Sequence, residues 1–143
     1  MVFKRESIDE RLKKLAGLYH FFELHKNLTY DELVKDMTVS LAVERASALA
    51  AEIIIDIMAH LLASEQNCYP ETYEETIELS SNKALISDDL YKKIKGLGGY
   101  RNILVHEYLG LDYGEVHKHF KKLIGAIPQF QQEILRYMDE KTD

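Results

Sequence analysis

A single cysteine, Cys68, among 143 residues leaves no partner for an internal disulfide and no ligand set for a cysteine-based zinc ribbon, which fits a reducing cytoplasm. Positive charge is also in deficit: the formal net charge is -6, so the chain as a whole is not a non-specific polyanion binder and any contact with nucleic acid must be local. The basic clusters Lys92, Lys93, Lys95, Arg101 and Lys118, Lys121, Lys122 read most simply as solvated helix faces. The opening Met-Val-Phe-Lys-Arg-Glu-Ser lacks the apolar core of a secretory leader. The longest apolar stretch, 46–63, contains Glu52, Asp56 and His60, which would be costly in lipid, so no membrane association is expected and the location is read as cytoplasmic. Two prolines, Pro70 and Pro128, and seven glycines give the chain few interruptions, and there is no internal repeat or linker. Residues 1–143 are expected to form one domain.

What is present is apolar spacing of three and four residues, which predicts an all-α bundle of four to five helices with short connections. Ser7-Ile8-Asp9-Glu10 has the form of a capping box opening a first helix, with Ile8, Leu12, Leu15, Tyr19 and Phe22 on one stripe. A second box at Thr29-Tyr30-Asp31-Glu32 predicts a short turn. A long central helix, apolar nearly all round, is expected from near Thr38 to about Ala63, followed by a loop from Ser64 to Pro70. Thr72 restarts a shorter helix, Ser87-Asp88-Asp89 caps one ending near Tyr108 or Leu109, and Asp112-Tyr113-Gly114-Glu115 opens the last. Pro128 is expected to kink or split that last helix. Tyrosines such as Tyr19 and Tyr91 suit core or interface positions.

The stretch Gly96 to Tyr108 carries the most chemistry. Three glycines within four positions are expensive in a helix, at about 1 kcal/mol each relative to alanine. They signal either close backbone approach by a helix or ligand, or a plain break before a new helix. At about 100° per residue, Arg101 and Tyr108 fall about 20° apart, and Asn102 and His106 about 40° apart, so the four share a broad helical sector. That set suits a phosphodiester: the Arg fork holds phosphate oxygens, an imidazole titrating near neutrality moves a proton, and Tyr orients phosphate or stacks on a base. The bland alternative is that these polar groups simply bond to neighbouring helices.

The string Arg101-Asn102-Ile103-Leu104-Val105-His106-Glu107-Tyr108, an R-x-x-x-x-H-x-Y pattern in a helical chain of this length, resembles the signature of the HEPN superfamily and, more narrowly, its HepT toxin branch. The resemblance implies a homodimeric, metal-independent ribonuclease whose composite cleft takes an Arg and a His from each protomer. By that likeness His106 is the acid or base, Arg101 the phosphate clamp and Asn102 the polar residue following it. The ribose hydroxyl next to the broken bond attacks, leaving a cyclic phosphate. It further implies an antitoxin partner, a minimal nucleotidyltransferase of the MntA type that attaches AMP to the tyrosine of the motif, here Tyr108. Other members of the superfamily bind nucleotidyltransferases without cleaving RNA, which keeps a non-catalytic docking module as the alternative. No cofactor is implied.

Arg45, Glu52, Asp56 and His60, spaced by seven, four and four residues, form a second polar line along the central helix. Three readings stand: a structural network with Arg45 or a basic group on another helix, a carboxylate that orients Arg101 or His106, or metal ligation by Glu52, Asp56 and His60. The last lacks the second carboxylate-histidine helix that a di-metal site requires. His117 and His119 point apart on their helix, and His20 and His25 read as surface residues. One structural criterion separates a purely structural dimer from a functional site. Arg101 and His106 buried and paired within one protomer mark the first; both facing an open cleft mark the second.

Overall fold

A computed structural model describes residues 4–141, and every regular element among them is helical. The first three residues of the opening Met-Val-Phe-Lys-Arg-Glu-Ser lie outside the described residues. Seven α-helices follow in order: α1 (Arg5–Leu24), α2 (Tyr30–Lys35), α3 (Met37–Gln66), α4 (Tyr73–Asn82), α5 (Asp88–Ile94), α6 (Leu97–His106) and α7 (Tyr113–Lys141), with a 3-10 turn at Tyr108–Gly110 between the last two. The all-α bundle is as expected, but it is cut into more segments than the four to five anticipated. The helix expected to run from Ser87 to Tyr108 is divided at Lys95 and Gly96, where Gly96 adopts φ 90°. A positive φ is nearly free for glycine and costly for any residue with a Cβ, so the chain turns there.

α3 is the axis of the bundle and packs against α1, α2, α4, α6 and α7. Its thirty residues are long and apolar enough to cross a membrane by length and composition, yet 61% of the most apolar window is buried against the other helices. Ala46, Ala48, Ala50 and Ala51 are all buried, and these small side chains let neighbouring helices come close. Around them pack Ile8, Leu15 and Phe22 from α1, Ile77 from α4 and Phe120, Phe130 and Ile134 from α7, with Phe22 stacked on Phe120 at 4.7 Å. Tyr19 and Tyr91 pack partly buried at the edge of this core.

The caps explain most boundaries. Thr29 and Glu32 form a reciprocal capping box, and Thr72, Ser87 and Asp112 each accept from a backbone N–H of the first turn they precede. The box read at Ser7 does not form. α1 already starts at Arg5, after Lys4, and Ser7 lies inside it, its hydroxyl accepting from Arg11 at 2.5 Å. α3 extends to Gln66, three residues past the expected end, and stops at Asn67 in the left-handed conformation, whose side chain tolerates it. Pro128 does not split α7. Proline in a helix interior costs about 3 kcal/mol, and the apolar face that continues through Ala126, Ile127, Phe130 and Ile134 offsets that cost.

Gly98 resolves the question of the glycine cluster. A Cβ on it would lie 2.7 Å from the Glu74 backbone nitrogen and 2.8 Å from the Tyr73 carbonyl carbon, so α4 and α6 touch only because this residue is bare. Gly99 has nothing within 4 Å of such a Cβ. Close approach and helix break are thus both present, at Gly98 and Gly96 respectively. Gly98→Ala is expected to destabilise the fold by about 1–3 kcal/mol in denaturant unfolding, the usual cost of forcing a methyl into a filled contact. Gly99→Ala, with open space and better helix propensity, is expected to gain up to about 1 kcal/mol. Equal effects at the two positions would contradict this packing.

Candidate functional site on the α6 face

Two neighbours on α4 set the position of α6. The Glu74 carboxylate accepts from Gly96 N at 2.9 Å and Gly98 N at 3.0 Å, capping a helix whose own N-cap has no side chain. Beside it, the Tyr73 ring lies 5.0 Å from the Arg101 guanidinium carbon, a cation-π contact. From the other side, Glu52 on α3 accepts from Arg101 Nη2 at 2.7 Å. Arg101 Nη1 donates to Asn102 Oδ1 at 3.3 Å. The Arg101 side chain is only 14% exposed, and its Nε is buried without a hydrogen-bond partner among the described residues. Two of the five guanidinium N–H groups are therefore committed and one is an unmet donor, which leaves the fork able to take further acceptors.

Asn102 and His106, one helical turn apart, are exposed on the same face of α6, and among the described residues the imidazole has no hydrogen bond or ion pair with another side chain. The structural criterion thus gives a divided answer: Arg101 is paired within the chain, while His106 faces outward. α6 ends at His106, and Glu107 takes φ -115° and ψ 42°, so Tyr108 sits on the 3-10 turn and the helical-wheel angle relating it to Arg101 does not apply. Tyr108 is 72% exposed. Around the polar pair lie exposed apolar side chains, Ile103, Val105 and, at 94% exposure, Leu109.

The polar line on α3 is shared among helices. Glu52 reaches Arg101, but Asp56 pairs with Arg11 of α1 at 2.7 Å, away from the motif. Arg45 is exposed and the His60 ring half-buried, and neither has a recorded contact with Arg101 or His106 among the described residues. Of the four candidates for supporting roles, Glu52 alone touches the motif. With Glu52 and Asp56 committed to arginines on different helices, joint metal ligation by Glu52, Asp56 and His60 has no geometric basis, and no group of three potential ligands gathers among the described residues. His117 and His119 part as expected. His117 Nε2 lies 2.7 Å from the Leu28 carbonyl, while His119 stacks on Tyr100 at 4.0 Å. Burial, with help from Lys122 and against Glu115, holds His119 below its usual pKa.

Tyr73 and Glu74 are the residues that sequence reasoning missed. Their only sequence signal is that they open a helix after Thr72; their partnership with α6 spans more than twenty positions.

Residues 6–134 match the family model described as Ribonuclease HepT-like. The tRNA nuclease HepT of Aphanizomenon flos-aquae is 26% identical over 140 residues, covering 95% of each chain. The solved structure of YutE from Bacillus subtilis, a cytosolic protein, superposes with a TM-score of 0.86 at 21% identity, covering 99% of this chain and 96% of that one. A tri-AMPylated HEPN toxin of Shewanella oneidensis, solved in complex with its MNT antitoxin, superposes with a TM-score of 0.78 at 22% identity over 90% of this chain and 96% of that one.

Proposed function

The chain belongs to the Ribonuclease HepT-like family, and from that premise we propose that it is a metal-independent endoribonuclease acting as a homodimer, with residues 1–143 as one domain and Arg101, Asn102 and His106 at its catalytic centre. The observation that carries this reading is the Arg101 guanidinium, anchored by Glu52 and Tyr73 yet holding donors in reserve, on the same helix as an outward-facing Asn102 and His106. A purely structural arginine would be expected to have its donors satisfied, and a purely structural histidine would have a partner.

In this reading Arg101 grips the non-bridging oxygens of a phosphodiester through its fork, and the free amide N–H of Asn102 supports it. The ribose 2′-hydroxyl attacks the adjacent phosphorus. One His106 takes the hydroxyl proton and the second protomer's imidazole returns a proton to the departing 5′ oxygen, giving a 2′,3′-cyclic phosphate and a 5′-hydroxyl. Two-fold pairing is what brings two imidazoles to one phosphate. The exposed Ile103, Val105 and Leu109 around the polar pair supply apolar surface for that pairing. The acidic net charge fits a local site of this kind better than a broad basic groove.

In the same reading Tyr108 accepts AMP from a nucleotidyltransferase antitoxin, which its exposure on a turn just past His106 supports, and a bulky anion there would crowd the phosphate site. The alternative, a docking module without activity, shares this partner and differs only at the phosphate.

The test is direct. Purified protein incubated with total tRNA in excess chelator is expected to release fragments ending in cyclic phosphate, and to sediment as a dimer at the assay concentration. Intact tRNA under those conditions, with the dimer present, would favour the docking module.

A further inference from the structure

Beside His106 on α6, on the side away from Arg101, a cleft of about 420 Å³ opens between α6, the turn after it and the start of α7. Its lining includes Gly99, Ile103, Gly110, Tyr100, His119 and Glu107. At about 100° per residue, Gly99 and Ile103 follow His106 around the helix within about 60°, so one lip of the cleft adjoins the phosphate site. Cβ atoms built on Gly99 or Gly110 would meet nothing within 4 Å, so these walls are bare backbone and leave room for a flat ring. The aromatic part of the lining is the half-buried His119, stacked on Tyr100 at 4.0 Å and 15°. Tyr100 is 5% exposed, yet its hydroxyl has no hydrogen-bond partner among the described residues.

The charged groups of the cleft are carboxylates, which accept hydrogen bonds and repel phosphate. Asp112 is engaged, capping the first turn of α7 through Gly114 N and Glu115 N, and Glu115 sits 3.7 Å from the His119 ring on the α7 side of the cleft. Glu107, the residue after His106, is exposed and has no recorded side-chain partner among the described residues. A free carboxylate on the lining of the cleft selects a ring that presents two neighbouring donors. Among RNA bases guanine alone does so, through N1–H and the 2-amino group; uracil offers one N–H between two carbonyls, and adenine and cytosine set an acceptor beside their amino group.

We propose that this cleft is a base subsite in which a guanine flanking the cleaved phosphate lies against the Tyr100–His119 stack and donates to the Glu107 carboxylate. The subsite rests on the ribonuclease reading for its place in an RNA strand, but not for its ability to hold the base. His119, kept largely neutral by burial, adds no charge that would draw phosphate into the slot instead. Discrimination then comes from the base edge, and the backbone phosphate stays with Arg101.

The experiment titrates guanosine 3′-monophosphate and uridine 3′-monophosphate into the full chain and its Glu107→Gln variant, following backbone amide shifts by NMR. The same proteins then cleave short single-stranded RNAs differing only in G or U beside one phosphate. Saturable shifts at Gly99, Ile103, Glu107 and His119 with the guanine nucleotide are expected, at least about tenfold weaker in Glu107→Gln, as loss of one bidentate base contact implies. In cleavage, the variant is expected to lose the G over U preference while retaining its rate on the U strand. Shifts that are absent, equal for both nucleotides or unchanged in the variant would overturn the subsite, even if RNA is cut. Guanine-selective shifts without cleavage of any strand would uphold the subsite and sink the nuclease reading instead.

Discussion

His106→Ala is expected to lower the rate of RNA cleavage by at least about 100-fold while leaving the far-ultraviolet helical spectrum and the unfolding midpoint close to wild type. The magnitude is the usual contribution of a positioned general acid or base, about 10²–10⁴-fold. Stability should not follow it, because the imidazole is exposed at the end of α6 and makes no recorded side-chain contact, and surface substitutions of that kind stay within about 0.5 kcal/mol. Loss of activity with retention of fold is the signature of chemistry. If the two histidines of a dimer serve one phosphate, heterodimers with a single His106→Ala subunit should cut as poorly as the doubly substituted protein. Activity in proportion to intact subunits would instead mean that each chain carries its own complete site. A wild-type rate in the pure variant would remove His106 from the mechanism altogether.

The parts of this molecule that could be read from the sequence are those whose physics is local. Thr29, Thr72, Ser87 and Asp112 mark helix starts because a short side-chain oxygen and the amides it satisfies lie within three residues of each other. The same pattern at Ser7 misleads, since a helix already propagating from Arg5 satisfies those amides with carbonyls and leaves the hydroxyl to Arg11. The central place of α3 follows from its being apolar nearly all round. What stayed hidden was which partner each polar side chain takes across the helices. That Glu52 turns to Arg101 while Asp56, one turn on, turns to Arg11 depends on how α1 and α6 flank α3, and spacing along one helix carries no such information. Gly98 is the intermediate case. Its cost could be seen in the sequence, but its cause, the backbone of Tyr73 and Glu74, could not. The helical face that the spacing assigns to Tyr108 rests on a periodicity that stops two residues earlier.

Arg101→Lys is the second substitution with a large expected effect, and it separates the proposed phosphate grip of the guanidinium from its ion pair with Glu52. A lysine retains the positive charge and can still meet Glu52, so the ion pair that ties α6 to α3 survives, and stability is expected to fall by no more than about 1 kcal/mol. The planar fork is lost, and with it the ability to bond Glu52 and a phosphate simultaneously; cleavage should drop by about 100-fold, the scale seen when one donor to a developing charge is removed. Glu52→Ala works in the opposite sense. It leaves a guanidinium that is 14% exposed without its carboxylate, and because Glu52 itself is 45% exposed, water repairs part of the damage. The expected cost is about 1–2 kcal/mol in unfolding, below the 3–5 kcal/mol of a fully buried broken pair. Activity in Glu52→Ala should fall less than in Arg101→Lys, since Tyr73 still supports the guanidinium from the far side, and Glu52→Gln should recover most of the loss by restoring an acceptor. A kinetic ordering in which Arg101→Lys cleaves like wild type while Glu52→Ala unfolds the protein would make this arginine a strut, and the phosphate would have to be gripped elsewhere.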